Sequence, residues 1–488
     1  MSARRIWIVL LVGLVIAVLG MSGCGSQAGG LGGGPGAVNC AGCGSTGGSG
    51  STGGSGTTTT APATLTLLDP PTCSTPRTTF QHLYLSVAGV QLNPDANASA
   101  TSSGWVDVAP TLASSPKQFD MFNLTAAVGN LATSTGVATG NYGSVKLLLA
   151  PNTASVLANQ CGASAVNCVT VGALTYPIGV ATESLSGIVV NGNTIPGGAI
   201  AVGSGSTANI NVLFDSCSSL EGSTTAGFRL LPNVRAWGGA VQVWTVTLQD
   251  SVSLATLSSG DTIVALEQPD SGGVDRVVSQ ASANGSGVAT LYSPTGTFDV
   301  VAEATTPTGG STSVIYSPLV VTGVAASGTT ALTMQLVPQA ASAPAVITPL
   351  IQTGAAEIDL RTSVLQKATI SGVTTPLFTI PVLNQNSSTI ATFSKLTTNC
   401  AGVACNTTPL PVSGQPLYVR SAGQLSATAS STTNDYTVDA LAFVSQGGGV
   451  TDCTVSNVQT STDSTGAKLT LGPGQTATAA TMVFSGCR

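Results

Sequence analysis

From Ala63 onward the chain is written in short runs that alternate apolar and polar residues. Clusters of Gly, Pro, Asn and Ser separate them at close spacing. That pattern builds half-buried strands joined by turns, and repeated at this density it specifies β-sandwiches rather than helices. Phe80–Val87 (FQHLYLSV) shows the period of two: Leu83, Leu85 and Val87 take one face, and His82, Tyr84 and Ser86 the other. Trp105–Val108, Ser144–Leu149, Ala208–Phe214 and Phe228–Trp237 repeat the theme, with Pro232 marking an edge or bulge in the last. Brief helices are expected near 126–131 and 216–221. The expected fold class is therefore all-β, as tandem β-sandwich modules.

Composition narrows the function. Charged residues make up 7% of the 488 residues, against about 25% in ordinary soluble domains. Coiled coils and long soluble helices need the Glu, Lys and Arg that are missing here. A charged disordered chain is excluded by the mean hydropathy of +0.38. Fourteen basic residues dispersed over a chain of pI near 4.6 form no phosphate-neutralising patch, so nucleic acid is not an expected partner. His82 is the only histidine, which leaves little room for His-based catalysis or multi-His metal sites.

The N-terminus reads as an address. Arg4 and Arg5 precede an apolar run from Ile6 to Gly20, followed by Met21-Ser22-Gly23-Cys24. The run is short for a bilayer span of about 20 residues. Small residues before a cysteine resemble the bacterial lipobox, with Met21 departing from the usual Leu. The resemblance implies that residues 1–23 are a lipoprotein signal peptide and that Cys24 is lipidated, holding the protein at a membrane through its acyl chains. Gly25, where Asp would favour inner-membrane retention, points to the outer membrane. Residues 24–63 are then a Gly/Ser/Thr tether, a flexible coil with roughly 35 Å of reach.

Eleven cysteines become an even ten once Cys24 is set aside. An exported chain meets an oxidising compartment, so disulfides are the default. Proximity suggests Cys161–Cys168 and Cys400–Cys405. Cys453–Cys487 would tie back the C-terminus, and Cys73–Cys217 would close the first folded domain. Cys40-Ala-Gly-Cys43 lacks a following His and a second CxxC, so it reads as a local disulfide or incidental thiols rather than a redox or zinc motif.

Residues 64–240 resemble the bacterial family called domain of unknown function 4382. The resemblance rests on LYLSVAGVQLNP (83–94), GWVDVAP (104–110), QFDMFNL (118–124), GNYGSVKLLL (140–149), NVLFDSCSSL (211–220) and LLPNVRAW (230–237). These motifs are structural rather than catalytic, and a lipobox and tether in front fit the family's habit. Residues 241–337, where Ser282–Leu291 carries the turn residues Asn284-Gly285 of a hairpin and is followed by Ser293–Ala302, look like a carboxypeptidase-regulatory-like, or transthyretin-like, β-sandwich. That fold lies near carbohydrate-binding folds. A Pro/Ala-rich linker is expected at 338–349, and residues 350–488 form a third β module of no recognised family.

Candidate sites are few. Ser114-Ser-Pro-Lys117 matches S-x-x-K, but Pro116 and the missing partner motifs argue against acyl-transfer chemistry. Asp107, Asp120, Asp215 and Glu221 lack Ca²⁺-loop spacing and are expected to cap turns and strand ends. Arg229 and Arg235, six apart, are expected on one strand face, meeting Asp or solvent. Trp105, Trp237 and Trp244 offer a sugar-stacking platform if exposed, and core packing if not. No catalytic residue, metal or cofactor is expected. The partners expected are a membrane through the lipid, and a glycan or envelope protein. The sequence leaves the oligomeric state open.

Overall fold

The structure is a computed structural model that describes residues 59–487, apart from 71–79, 125–128, 181–184, 226, 259–260, 271, 306–313, 340–342, 355–357, 371–372, 384–389, 425–427, 430–433 and 444–452. The expected signal segment, Cys24, the CxxC and Cys73 lie outside the described residues, as do the side chains of Cys217 and Glu221. The fold is all-β, with 59% of the described residues in strands and 4% in helix. Among the described residues no helix is long and apolar enough to cross a membrane.

The first domain packs two sheets over one core. Strand Thr60–Leu68 runs parallel to Ala208–Phe214 and antiparallel to Gly129–Ala138, and Val234–Gly238 completes that sheet. The facing sheet is centred on Phe80–Asn93, flanked by Ser144–Leu149 and Cys168–Val171. Leu83, Leu85 and Val87 are buried as the alternation expects, and so are Val90 and Leu92. The buried set changes from odd to even positions because a register shift lies between Val87 and Gly89. One extra residue in a strand re-aims every side chain after it.

The stretch expected as one strand from Phe228 to Trp237 is two. Gly227–Leu230 pairs with Leu220–Ser223 and Leu174–Gly179, whereas Val234–Gly238 pairs with Ala208–Phe214 in the other sheet. Pro232 has no N–H for a ladder, and the chain crosses between sheets there. The helix expected at 126–131 is also corrected: Gly129–Ala138 is a strand. At 216–221 only a single 3-10 turn forms, Ser216–Ser218, before the chain extends again at Leu220.

Beyond residue 241 the strands share faces rather than forming isolated sandwiches. Gln242–Asp250 pairs with Val288–Ser293 and, in parallel, with Thr329–Leu336. A second sheet runs through Leu319–Ala326, Gly296–Thr305, Asp261–Pro269 and Val274–Ala281. It continues into Val373–Ile380, Ile358–Ile370 and Tyr436–Phe443. In Gly296–Thr305, Val300 and Ala302 face one core while Val301 faces another, and Leu319, Val321 and Val320 divide the same way. A strand covered on both faces ordinarily needs a near-continuous apolar run; here Phe298, Val300, Ala302 and Ala304 supply it on one face, and Asp299 and Glu303 flank Val301 on the other. The Asn284-Gly285 turn is no hairpin: Val274–Ala281 and Val288–Ser293 belong to different sheets. Its left-handed residue is Gly287, at φ 73°. The expected linker at 338–349 also contains strands, Pro338–Gln339 and Ala345–Thr348, each paired.

Candidate functional site

Three of the suggested disulfides form: Cys161–Cys168, Cys400–Cys405 and Cys453–Cys487. The first packs with Tyr84, covering the outer side of the Phe80–Asn93 strand. The tryptophans do not make a platform. Trp237 and Trp244 are 1% and 0% exposed, and Trp244 donates its indole N–H to Ser293 Oγ at 2.8 Å. Trp105 is half-buried, with Lys146 Nζ 4.4 Å from its ring centroid and its indole N–H bound to Ser99 O at 3.0 Å. Ser114 ends a five-residue helix and Lys117 opens the next strand. Ser114 Oγ donates to Thr111 O and Lys117 Nζ to Asn130 O, so the S-x-x-K pair is not assembled.

The histidine has a partner 38 residues away. Tyr84 lies directly opposite Asp120 on the paired Lys117–Asp120 strand, and His82 shares Tyr84's face. His82 Nδ1 meets Asp120 Oδ2 at 2.6 Å, Asn123 Nδ2 donates to the same oxygen at 2.6 Å, and the imidazole stacks on Tyr84 at 5.3 Å. Burial, and secondarily the Asp120 charge, raises the Tyr84 hydroxyl pKa above its ordinary value. This arrangement holds an imidazole in one orientation. Sequence spacing did not pair His82 with Asp120, because only the strand register brings them together.

A larger polar constellation lies where the first domain meets the strands beyond residue 350. In the Ile358–Ile370 strand, Leu360 and Val364 face the C-terminal core with Leu396, Val438 and Ala440. The opposite face carries Asp359, Arg361 and Ser363. Register places Asp359 opposite Thr397, Arg361 opposite Lys395, and Ser363 opposite Asp439. Arg229 clasps Asp359 with contacts of 3.0 and 3.2 Å and donates to Thr397 at 2.8 Å. Lys395 donates to Leu231 O at 2.5 Å, Arg235 to Val277 O at 2.9 Å, and Gln280 to Asp215 at 2.7 Å. Arg276 bridges Asp439 and Asp270 at 2.5 and 3.0 Å. Arg229 and Arg235 therefore occupy separate strands, and the carboxylate that Arg229 meets comes from residue 359.

A second polar group is all acid. Glu267 and Asp299 are cross-strand partners, and Asp275 lies on the adjoining strand. Glu267, Asp275 and Glu303 are each 0% exposed. Thr379 N–H donates to Glu267 at 3.1 Å, but both Asp275 oxygens lack a hydrogen-bond donor among the described residues. Burial raises all three carboxyls, with neighbouring carboxylates adding to it at Glu267 and Asp275. Asp275 reaches about 7, while a nearby Ser413 hydroxyl opposes the rise at Glu303. Among the described residues no group of three or more His, Cys, Asp or Glu is arranged to hold a metal ion.

Residues 60–232 match the family model described as Domain of unknown function (DUF4382). The match opens where the Thr60–Leu68 strand opens and ends at Pro232, the crossing between sheets. No curated protein matches the chain. Among solved structures, the Bacillus anthracis TIE protein is 10% identical over 88% of this chain and 51% of its own, with a TM-score of 0.15. This chain thus spans about half of that protein's length. The shaft pilin SpaA from Lactobacillus rhamnosus GG is 11% identical, over 51% of this chain and 100% of its own, with a TM-score of 0.16. A streptococcal ancillary pilin is 11% identical, over 86% and 98%, with a TM-score of 0.15. Scores this low do not equate the folds.

Proposed function

We propose that the protein is a cell-envelope lipoprotein, anchored through Cys24 and carried on a flexible tether, whose β modules bind or adhere rather than catalyse. The observation that carries this reading is how the scarce charges are used. Arg229–Asp359, Arg276–Asp439 and Gln280–Asp215 link residues far apart in sequence, so these groups join modules into one body. A mechanically continuous head at the end of a tether suits an adhesive or structural part. The carboxypeptidase-regulatory-like assignment of residues 241–337 and an outer-membrane address belong to the same proposal, as do the module boundaries at 240/241 and 349/350. The ligand would be a glycan or another envelope protein.

The test uses the full chain in a Gram-negative host. Cys24→Ala is expected to move the protein from the membrane to the soluble fraction; unchanged fractionation refutes lipid anchoring. The purified protein is then applied to a glycan array and to immobilised envelope fractions. Retention on either supports a binding role. Turnover of generic ester or glycoside substrates, abolished by His82→Ala, would overturn the non-catalytic reading.

A further inference from the structure

Arg361 and Lys395 stand directly opposite each other on paired antiparallel strands. Like charges in that position repel, and a sheet face ordinarily avoids them. The face is nevertheless turned inward, against more cations. Arg235 from the first domain and Arg276 from Val274–Ala281 both lie near enough to disfavour the charged form of Arg361. Five of the chain's 14 basic residues thus converge on one junction. Two have carboxylate partners that account for them: Arg229 with Asp359, and Arg276 with Asp439 and Asp270. Arg235 and Arg361 have none within ion-pair distance among the described residues.

Asp215 is the remaining carboxylate that both arginines feel. It already accepts hydrogen bonds from Ser218 N–H, Asn233 Nδ2 and Gln280 Nε2, at 3.2, 3.1 and 2.7 Å. Arg361 is the least satisfied. Its one described contact is the Phe393 ring, 5.0 Å from the guanidinium carbon, and its five N–H groups have no hydrogen-bond acceptor among the described residues. Burial first, and then Arg235 and Arg276, lower its pKa to about 9. Arg235, Arg361 and Lys395 are each part-exposed rather than sealed. A guanidinium without an acceptor, beside two further cations, has the donor geometry of an oxyanion site.

We propose that Arg361 and Arg235, with Lys395 alongside, bind a small oxyanion at the junction of the first domain and the C-terminal strands. The ligand chemistry is a phosphate or a carboxylate group, which one guanidinium fork receives through two parallel hydrogen bonds. An anion there would neutralise the Arg361–Lys395 repulsion, so occupancy would tighten the junction between modules.

The experiment titrates the full chain, purified in detergent, with inorganic phosphate and separately with acetate. Sodium chloride at matched ionic strength is the control, and calorimetry and thermal unfolding are the readouts. One of the two anions is expected to bind with unit stoichiometry and raise Tm beyond chloride, and the stronger of the two identifies the ligand as a phosphate or a carboxylate. Arg361→Leu is expected to weaken that binding at least about tenfold, the loss of one charge-assisted fork, without lowering the basal Tm. Lys468→Gln, which removes the exposed Lys468–Asp435 pair, is expected to keep the anion response. No response above chloride to either anion overturns the proposal, as does undiminished binding by Arg361→Leu. Should Arg361→Leu fail to fold, Arg361→Lys keeps the charge and loses the fork. Wild-type affinity in that variant equally overturns the proposal.

Discussion

Two polar regions lie inside one continuous sheet system and meet their desolvation cost in opposite ways. At the junction with the first domain, Asp359 and Asp439 are nearly sealed, and each is bound by an arginine from a different strand. Around Gly296–Thr305, Glu267, Asp275 and Glu303 are sealed equally well, and among the described residues no cation pairs with them. A buried ion survives when paired. A buried carboxyl without a cation keeps its proton instead, which is why these three rise. The first region therefore ties together strands far apart in sequence, and the second stores a sensitivity to pH.

The largest expected effect comes from breaking a pair. Asp439→Ala leaves Arg276 without its two-oxygen partner and Gln459 without an acceptor. A loss of about 3 kcal/mol is expected from the urea midpoint; a change near zero would mean that the junction is not a bound pair. Next, Asp359→Leu alone is expected to cost about 2 kcal/mol, reduced because Arg229 is partly exposed. Adding Arg229→Met should recover most of that, since an apolar pair carries no desolvation debt. Failure of the double variant to recover would assign the loss to packing.

The acid region predicts the smaller effect, of opposite sign. Asp275 is raised from 3.8 to about 7, so the folded state holds a proton that the unfolded chain releases. Its contribution to stability is complete below the ordinary carboxyl range and is lost as pH climbs through about 7. Asp275→Asn should therefore match wild type near pH 4 and exceed it near pH 8, by about 1 kcal/mol because the amide brings N–H groups of its own that need acceptors. Thermal melts across that range test it, and parallel curves for the two proteins would show that Asp275 is not protonated in the folded state.

Much of the architecture was legible in short-range pattern. Alternation in Phe80–Val87 identified the buried face, and cysteines 7, 5 and 34 residues apart identified three bridges. The local breaker Pro232 was visible, but its consequence was not: it separates Arg229 from Arg235 into different sheets. The candidate tryptophans were undecidable in sequence, since Trp237 and Trp244 would read the same on either face of a strand. His82 and Asp120, 38 residues apart, carried no shared motif.

What the sequence determined by itself is whatever depends on neighbours along the chain. That covers strand periodicity, turn residues, close cysteine pairs, and a composition too poor in charge for helical or nucleic-acid-binding folds. Tertiary structure alone decided what depends on register and on which face meets another domain. Nothing in the sequence around Asp359, Arg361 and Lys395 distinguishes them from the solvated face of a half-buried strand. They became an interior junction because the first domain packs against their face, and period two says which side chains share a face but never what covers it.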